Sequence, residues 1–204
     1  MTSVLVFDIG GVLYDFRGDQ LIAETSRRKR RWRTEEVQAL WLPLVHSFET
    51  GAQSEADFAA TVVRCYDLTL TPEQFLSAFR AAAHGFYEGA RSLLRAVGEH
   101  HHLLSLSNTN GVQWPKVCED LGAADPFHAH HPSHISGFLK PDVRAFEAVA
   151  RSLPAPRECF FFDDRAVNVA AAARFGWRAR RVRGVAEARS ACLEFGLIEP
   201  QWLA

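Results

Sequence analysis

Three strand-length runs in this chain are apolar almost throughout, and each ends on polar, oxygen-bearing side chains. Ser3 to Asp8 reads SVLVFD, His102 to Asn108 reads HLLSLSN, and Cys159 to Asp164 reads CFFFDD. A strand with one wet face alternates apolar and polar residues, whereas a continuous apolar run suits a strand covered on both faces in a parallel sheet. Helical patterns follow the second and third runs. One of them, RAVNVAAAARFG after Asp164, finishes at Gly176, the natural C′ residue. Strands alternating with helices indicate an α/β domain built on a doubly wound parallel sheet, and such sheets place ligands beyond the carboxyl ends of their strands. Asp8, Ser107, Asp163 and Asp164 are therefore expected to meet in one crevice.

The stretch between the first and second runs is too long for a single crossover, and most of it reads as helix. SEADFAATVVRCY opens with a capping-box spacing at Ser54 and Asp57, and TPEQFLSAFRAAAHGF places Thr71 at the N-cap, Pro72 at N1 and Gln74 at N3. Leu21 to Arg31 and Glu35 to Phe48 read as partner helices. The expectation is an all-helical insertion over residues 16–87, packed as a small bundle over the crevice, with residues 1–15 and 88–204 forming the α/β core.

Bulk properties agree with a folded domain. The 204 residues are 48% hydrophobic and 23% charged, enough for a sizeable core. A net charge of −1 gives no overall reason to bind nucleic acid or an acidic membrane surface. Cys65, Cys118, Cys159 and Cys192 form no CxxC pair and are read as reduced thiols. Val4 to Phe7 is short, lacks a preceding basic region and is interrupted by Asp8, unlike a signal peptide or a membrane span. A cytoplasmic protein, monomer or homodimer, is expected.

The chemistry centres on Asp8. A carboxylate at the end of a core strand needs donors or a cation, and a lone one reads most simply as a cap or turn residue. Asp163 and Asp164 at an equivalent strand end change that reading, because three carboxylates repel unless a positive ion lies between them, and an all-oxygen set suits Mg²⁺. Gly10 and Gly11 let the backbone turn tightly and offer a carbonyl to the same ion. Lys140, in GFLKPD, is one of three lysines in an arginine-rich chain, and its compact ammonium can neutralise both Asp8 and an incoming phosphate. Ser107 offers a hydroxyl, and backbone N–H groups at the start of the following helix would attract an anion. Asn168, one helical turn beyond Asp164, can hold a metal-bound water or stand as an ordinary helix residue.

VFDIGGVL, LSLSNTN, LKPD and FFFDDRAVN, in that order, resemble the four motifs of the haloacid dehalogenase-like hydrolase superfamily over nearly the whole chain. The helical insertion is similar to that superfamily's C1 cap on a Rossmann-like core. SFETGAQSEADF resembles the cap segment of small sugar-phosphate phosphatases related to α-glucose-1-phosphate phosphatase. The resemblance implies a Mg²⁺-dependent phosphatase of a small phosphorylated metabolite, such as a sugar phosphate, working through an aspartyl-phosphate. Asp8 would attack phosphorus, Ser107, Asn108 and Lys140 would hold the phosphoryl oxygens, and Asp8, the Gly10 carbonyl, Asp163 and Asp164 would surround the metal.

One position departs from the resemblance. Most phosphatases of the superfamily carry a second Asp two residues after the nucleophile, where it protonates the leaving group, and here that position is Gly10. A general acid is worth roughly 10²–10⁴-fold, so water, substrate or a residue of the cap would have to supply the proton. Two rivals follow: a 2-haloacid dehalogenase, which needs no metal, and a binding module for a phosphorylated ligand or a partner protein. Glu49, His46 and the basic run RRKRRWR, Arg27 to Arg33, are candidates for selectivity. That run reads either as a solvated helix end or as a nucleic-acid contact with Trp32 as a stacking platform. His128, His130, His131 and His134 in HAHHPSH invite a zinc reading, although no Cys or acidic ligand completes the set locally. Trp41, Trp114 and Trp177 are read as packing residues.

Overall fold

The computed structural model describes residues 3–27, 34–153 and 158–199. In chain order the elements are β1 (Val4–Phe7), β2 (Tyr14–Phe16), α1 (Gly18–Thr25), α2 (Thr34–Glu49), α3 (Glu55–Tyr66), α4 (Pro72–Ala81) and β3 (Ala83–Phe86). They continue with α5 (Ala90–Gly98), β4 (His102–Ser107), α6 (Trp114–Leu121), β5 (Ala129–Pro132), α7 (Ser133–Ser136) and α8 (Val143–Ser152). The last four are β6 (Cys159–Asp163), α9 (Ala166–Phe175), β7 (Arg178–Arg181) and α10 (Gly184–Glu194).

Five strands form a parallel sheet in the order β5, β4, β1, β6, β7. The apolar runs that ended on polar groups are its three central strands. Successive side chains of a strand point to opposite faces, and β1 shows this directly. Leu5 and Phe7 join the core beneath α5, α6 and α10, while Val4 and Val6 join the core beneath α8 and α9. Phe7 pairs with Ser105 on one side and Phe162 on the other, so the next residues along all three strands emerge at one edge. β4 and β6 flank β1 on opposite sides. The crevice at the end of β1 is thus the point where the winding reverses, where such sheets bind ligands.

Between β1 and β4 lies a helical insertion with its own core of Phe48, Phe58, Val62, Tyr66, Phe75 and Phe79. Phe58 stacks on Phe48 with centroids 4.0 Å apart, and Phe75 stacks on Phe79 at 5.4 Å. The capping signals perform as expected. Ser54 Oγ accepts from Asp57 N at 3.1 Å to start α3, and Thr71 with Gln74 closes a reciprocal capping box on α4. The helix expected over Leu21 to Arg31 instead starts at Gly18 and ends at Thr25. Beyond it the backbone pairs across: Arg27 N donates to Asp67 O and Thr69 N to Thr25 O, both at 2.8 Å. Residues 28–33, including Trp32 and most of the basic run, lie outside the described residues.

The insertion is not bounded by helices alone. β2 and β3 pair as an antiparallel ribbon, Tyr14 opposite Phe86, where the chain leaves and re-enters the core. Trp114 and Trp177 are buried, and Trp41 packs edge-on to Phe58, in keeping with their reading as packing residues. Among the described residues no helix is long and apolar enough to cross a membrane.

Candidate active site

Asp8 follows β1 directly and is 8% exposed. Its backbone N–H donates to Phe162 O at 2.8 Å, which continues the sheet one residue past the strand. Its Oδ1 accepts from Ile9 N at 2.7 Å and lies 3.0 Å from Lys140 Nζ. The Lys140 ammonium has three donors, and all are placed: Asp8 Oδ1, Asp163 Oδ2 at 2.8 Å and the Leu106 carbonyl at 2.6 Å. Lys140 is 2% exposed, yet its charge is stabilised because Asp163 and Asp8 outweigh the burial that would otherwise depress its pKa.

Asp163 is fully buried and the most committed of the three carboxylates. Besides Lys140 it accepts from Arg165 N at 2.8 Å and from Asn168 Nδ2, which is 3.0 Å from both of its oxygens. Burial alone would raise Asp163, but Lys140, the Arg165 N–H and the Asn168 amide hold it below its ordinary value. Asn168 therefore orients Asp163 through Nδ2, while its buried Oδ1 has no partner and can still accept from a bound water. The helix begins at Ala166, so the first turn folds its amide back onto the strand end.

Asp8, Asp163 and Asp164 each present an oxygen within 4.8 Å of the others. Against them stands one buried ammonium. Burial pushes Asp8 up to about 8 even with Lys140 beside it, and burial together with the Asp163 charge raises Asp164. These are the signs of a pocket with negative charge in excess, and its all-oxygen donor set fits a hard divalent cation. The glycines serve this geometry. Gly11 has φ +71°, and a Cβ there would stand 2.9 Å from Asp164 Oδ2, so only glycine leaves room for that carboxylate. Among the described residues no backbone N–H binds the Gly10 carbonyl, which remains available as a further oxygen donor.

Ser107 ends β4, is 3% exposed, and has no hydrogen-bond partner for its hydroxyl among the described residues. The helix expected to begin just after it begins later, at Trp114. Residues between them form a loop in which Asn110 Oδ1 accepts from Val112 N and Gln113 N. Among the described residues no helix starts directly after Ser107, so its surroundings on that side are the loop itself. The Asn108 side chain clamps the Lys140 main chain, Nδ2 donating to the carbonyl at 2.9 Å and Oδ1 accepting from the N–H at 2.8 Å. The side chain fixes the stem of the lysine and keeps one Nδ2 hydrogen free.

Three of the four histidines in this stretch are engaged by neighbouring groups. His128 Nδ1 accepts from Leu103 N at 3.1 Å, and His130 bridges Ser105 and Asp125. His131 bonds Ser152. Ser133, in the same stretch, is a site-bordering residue that the sequence does not single out beside the histidines. Its hydroxyl donates to Glu49 O at 2.7 Å and approaches Thr109 O at 3.0 Å, and it accepts from Thr109 N at 2.9 Å, tying the insertion to the loop after Ser107. The available signal was its place just past a strand end, the same position in the fold as Asp8 and Ser107.

A family model for haloacid dehalogenase-like hydrolases matches residues 2–176. The chain belongs to this family. Among solved structures, this HAD-like hydrolase is similar to the HAD family enzyme BT-2542 of Bacteroides thetaiotaomicron in complex with magnesium and inorganic phosphate. The TM-score is 0.71 at 21% identity, covering 90% of this chain and 95% of that one. A HAD-like family hydrolase from Porphyromonas gingivalis aligns with a TM-score of 0.74 at 22% identity, covering 96% and 98%. L-2-haloacid dehalogenase from Xanthobacter autotrophicus, with chloropropionic acid covalently bound, aligns at 0.61 with 22% identity, covering 100% and 86%. Identities this low show a shared fold. No curated protein matches the sequence.

Proposed function

We propose that this HAD-like hydrolase is a Mg²⁺-dependent phosphatase of a small phosphorylated metabolite, working through an aspartyl-phosphate on Asp8. The observation that carries the reading is the charge imbalance in the crevice: three carboxylates converge around one ammonium that is already saturated with acceptors. The residues that would hold the ion are Asp8, Asp164 and the Gly10 carbonyl, with Asp163 behind them, and the ion would supply charge neutralisation for an anionic substrate. Asp8 Oδ1 is held by Ile9 N and Lys140, which leaves its second oxygen for attack on phosphorus. The unpartnered Ser107 hydroxyl is a donor for a phosphoryl oxygen, and Lys140 stabilises the charge that develops there. BT-2542, solved with magnesium and inorganic phosphate, offers a precedent on the same fold.

Gly10 favours a second reading, a 2-haloacid dehalogenase, since that chemistry also forms an ester on an Asp. The metal-fitting carboxylate set argues against it. A panel of sugar phosphates and aryl phosphates, assayed with wild type and Asp8→Asn, with Mg²⁺ and again with EDTA, tests the choice. Wild type should release phosphate only with Mg²⁺, and Asp8→Asn should lose roughly 10⁴-fold or more in kcat, as expected when a nucleophile is removed. Chloride release from chloropropionate in the presence of EDTA, with no phosphate release from the panel, would reverse it.

A further inference from the structure

The reaction proposed above needs a proton delivered to the departing oxygen and later taken from the attacking water. Gly10, Asp163 and Tyr14 of the core do not offer it. Gly10 has no side chain, and a Cβ added there would meet Phe16 Cδ2 at 3.2 Å, so the ring already presses on the space an acid would need. Asp163 is bonded on both oxygens, and the Tyr14 hydroxyl is spent on Asp120. With these groups engaged, the helical insertion, water or the substrate supplies the proton.

We infer that the Glu49 carboxyl, brought to the crevice by the end of α2, is the general acid and base of the site; the inference rests on the phosphatase reading. Glu49 closes α2, and its carbonyl is pinned by Ser133, the residue that also holds Thr109 on the loop after Ser107. Two residues on, Gly51 with φ +74° passes so close to α7 that a Cβ would stand 2.5 Å from the His134 carbonyl. The backbone on both sides of Glu49 is therefore clamped against the core. Among the described residues no group hydrogen bonds or ion-pairs with its carboxylate.

The charges acting on Glu49 belong to the crevice. Burial pushes it up to about 7, while Arg165, next to Asp164, and Lys140 pull the other way. From the elements packed on α2, α7 contributes His134, whose burial lowers its pKa, and α3 contributes Glu55 and Asp57, the latter engaged by Ser54. His46 lies one turn back on α2 itself. An acid that titrates near working pH can both give and take a proton within one cycle.

The atoms balance. In the first half, an Asp8 oxygen bonds to phosphorus, the bond from phosphorus to the leaving oxygen breaks, and the Glu49 proton goes to that oxygen. In the second half, water bonds to phosphorus, its proton goes to Glu49, and the bond from phosphorus to Asp8 breaks. Phosphate departs with Asp8 again a carboxylate and Glu49 again an acid.

The test compares wild type, Glu49→Gln and Glu49→Asp, all with Mg²⁺, on glycerol phosphate and on dinitrophenyl phosphate, whose leaving group needs no proton. Glu49→Gln should lose about 10²–10⁴-fold in kcat on glycerol phosphate. On dinitrophenyl phosphate it should instead give a burst of one equivalent of dinitrophenol and then slow turnover, because attack proceeds while the water step has lost its base. The limb of the wild-type pH profile near neutrality should vanish in Glu49→Gln, and Glu49→Asp should regain part of the glycerol phosphate rate. Unchanged kcat in Glu49→Gln overturns the assignment. So does an equal loss on both substrates without a burst, or equal activity of the Gln and Asp variants. A wild type that releases no phosphate from either substrate sinks the phosphatase reading itself, which is a different result.

Discussion

In the crevice, buried groups are charged and nearly every contact is a hydrogen bond. Lys140 reaches three acceptors, Asp163 is engaged by Lys140, Arg165 N and Asn168, and Asn108 clamps the lysine backbone. In the helical insertion, buried groups are aromatic and almost nothing but packing holds them: Phe48, Phe58, Phe75 and Phe79 lie ring against ring. The difference is one of tolerance. Apolar packing depends on volume and yields locally when it is cut, whereas a buried charge network depends on partners and fails as a unit when one is removed. The charged floor and the insertion thus carry different kinds of packing, and the insertion reaches the reacting atoms at one point, Glu49 at the end of α2.

Removing the lysine strains this contrast hardest. Lys140→Met leaves Asp8 and Asp163 buried without their cation, and breaking a buried pair in this way costs about 3–5 kcal/mol. Thermal melts of the metal-free variant should fall well below wild type, and added Mg²⁺ should recover much of the difference by neutralising the same carboxylates. Equal melting temperatures without metal would mean that the network does not bear on stability.

A cut in the insertion should behave differently. Phe58 is fully buried and stacks on Phe48, and Phe→Ala in such a position costs about 3–5 kcal/mol. Hydrogen exchange of Phe58→Ala should speed up across α3 and α4 while amides in β1, β4 and β6 keep their protection. The Mg²⁺-dependent rise in melting temperature should persist. Loss of protection in the sheet as well would show that the two regions unfold together and that the contrast has no energetic meaning.

What could be read from the sequence follows the same division. β1, β4 and β6 were legible because a strand covered on both faces must be apolar throughout, and their polar ends marked the crevice. The edge strands carried no such sign. β7 reads RARR and β5 reads AHHP. An edge strand needs only partial cover, and the guanidinium of Arg178 supplies some by lying 4.9 Å from the Phe160 and Phe195 rings. The β2 and β3 ribbon escaped for a similar reason, since YDF and AHGF are too short to show a period. At the site, the residue types pointed to charged groups that the fold does bring together, but hydrogen-bond direction was not legible. Asn108 and Asn168 read as groups for ligand and water, and what the sequence did not show is that Asn108 also clamps the Lys140 backbone and Asn168 also holds the Asp163 carboxylate.

The smallest expected effect concerns the position where the backbone and the charged floor touch. Gly11 is needed twice: its φ of +71° costs about 1–3 kcal/mol for another residue, and a Cβ would meet Asp164 Oδ2 at 2.9 Å. Gly11→Ala has to move either its own turn or that carboxylate. The turn is fixed from both sides, by Gly11 N donating to Tyr14 O at 3.0 Å and by Gly184 N donating to Gly11 O at 2.8 Å. Asp164 has fewer restraints on its side chain and should be the group that yields. The variant should then fold with a modest loss of stability but bind Mg²⁺ more weakly, seen as a smaller metal-induced shift in melting temperature. If the shift stays at the wild-type size while stability falls, Asp164 has not moved, and the glycine serves the turn alone.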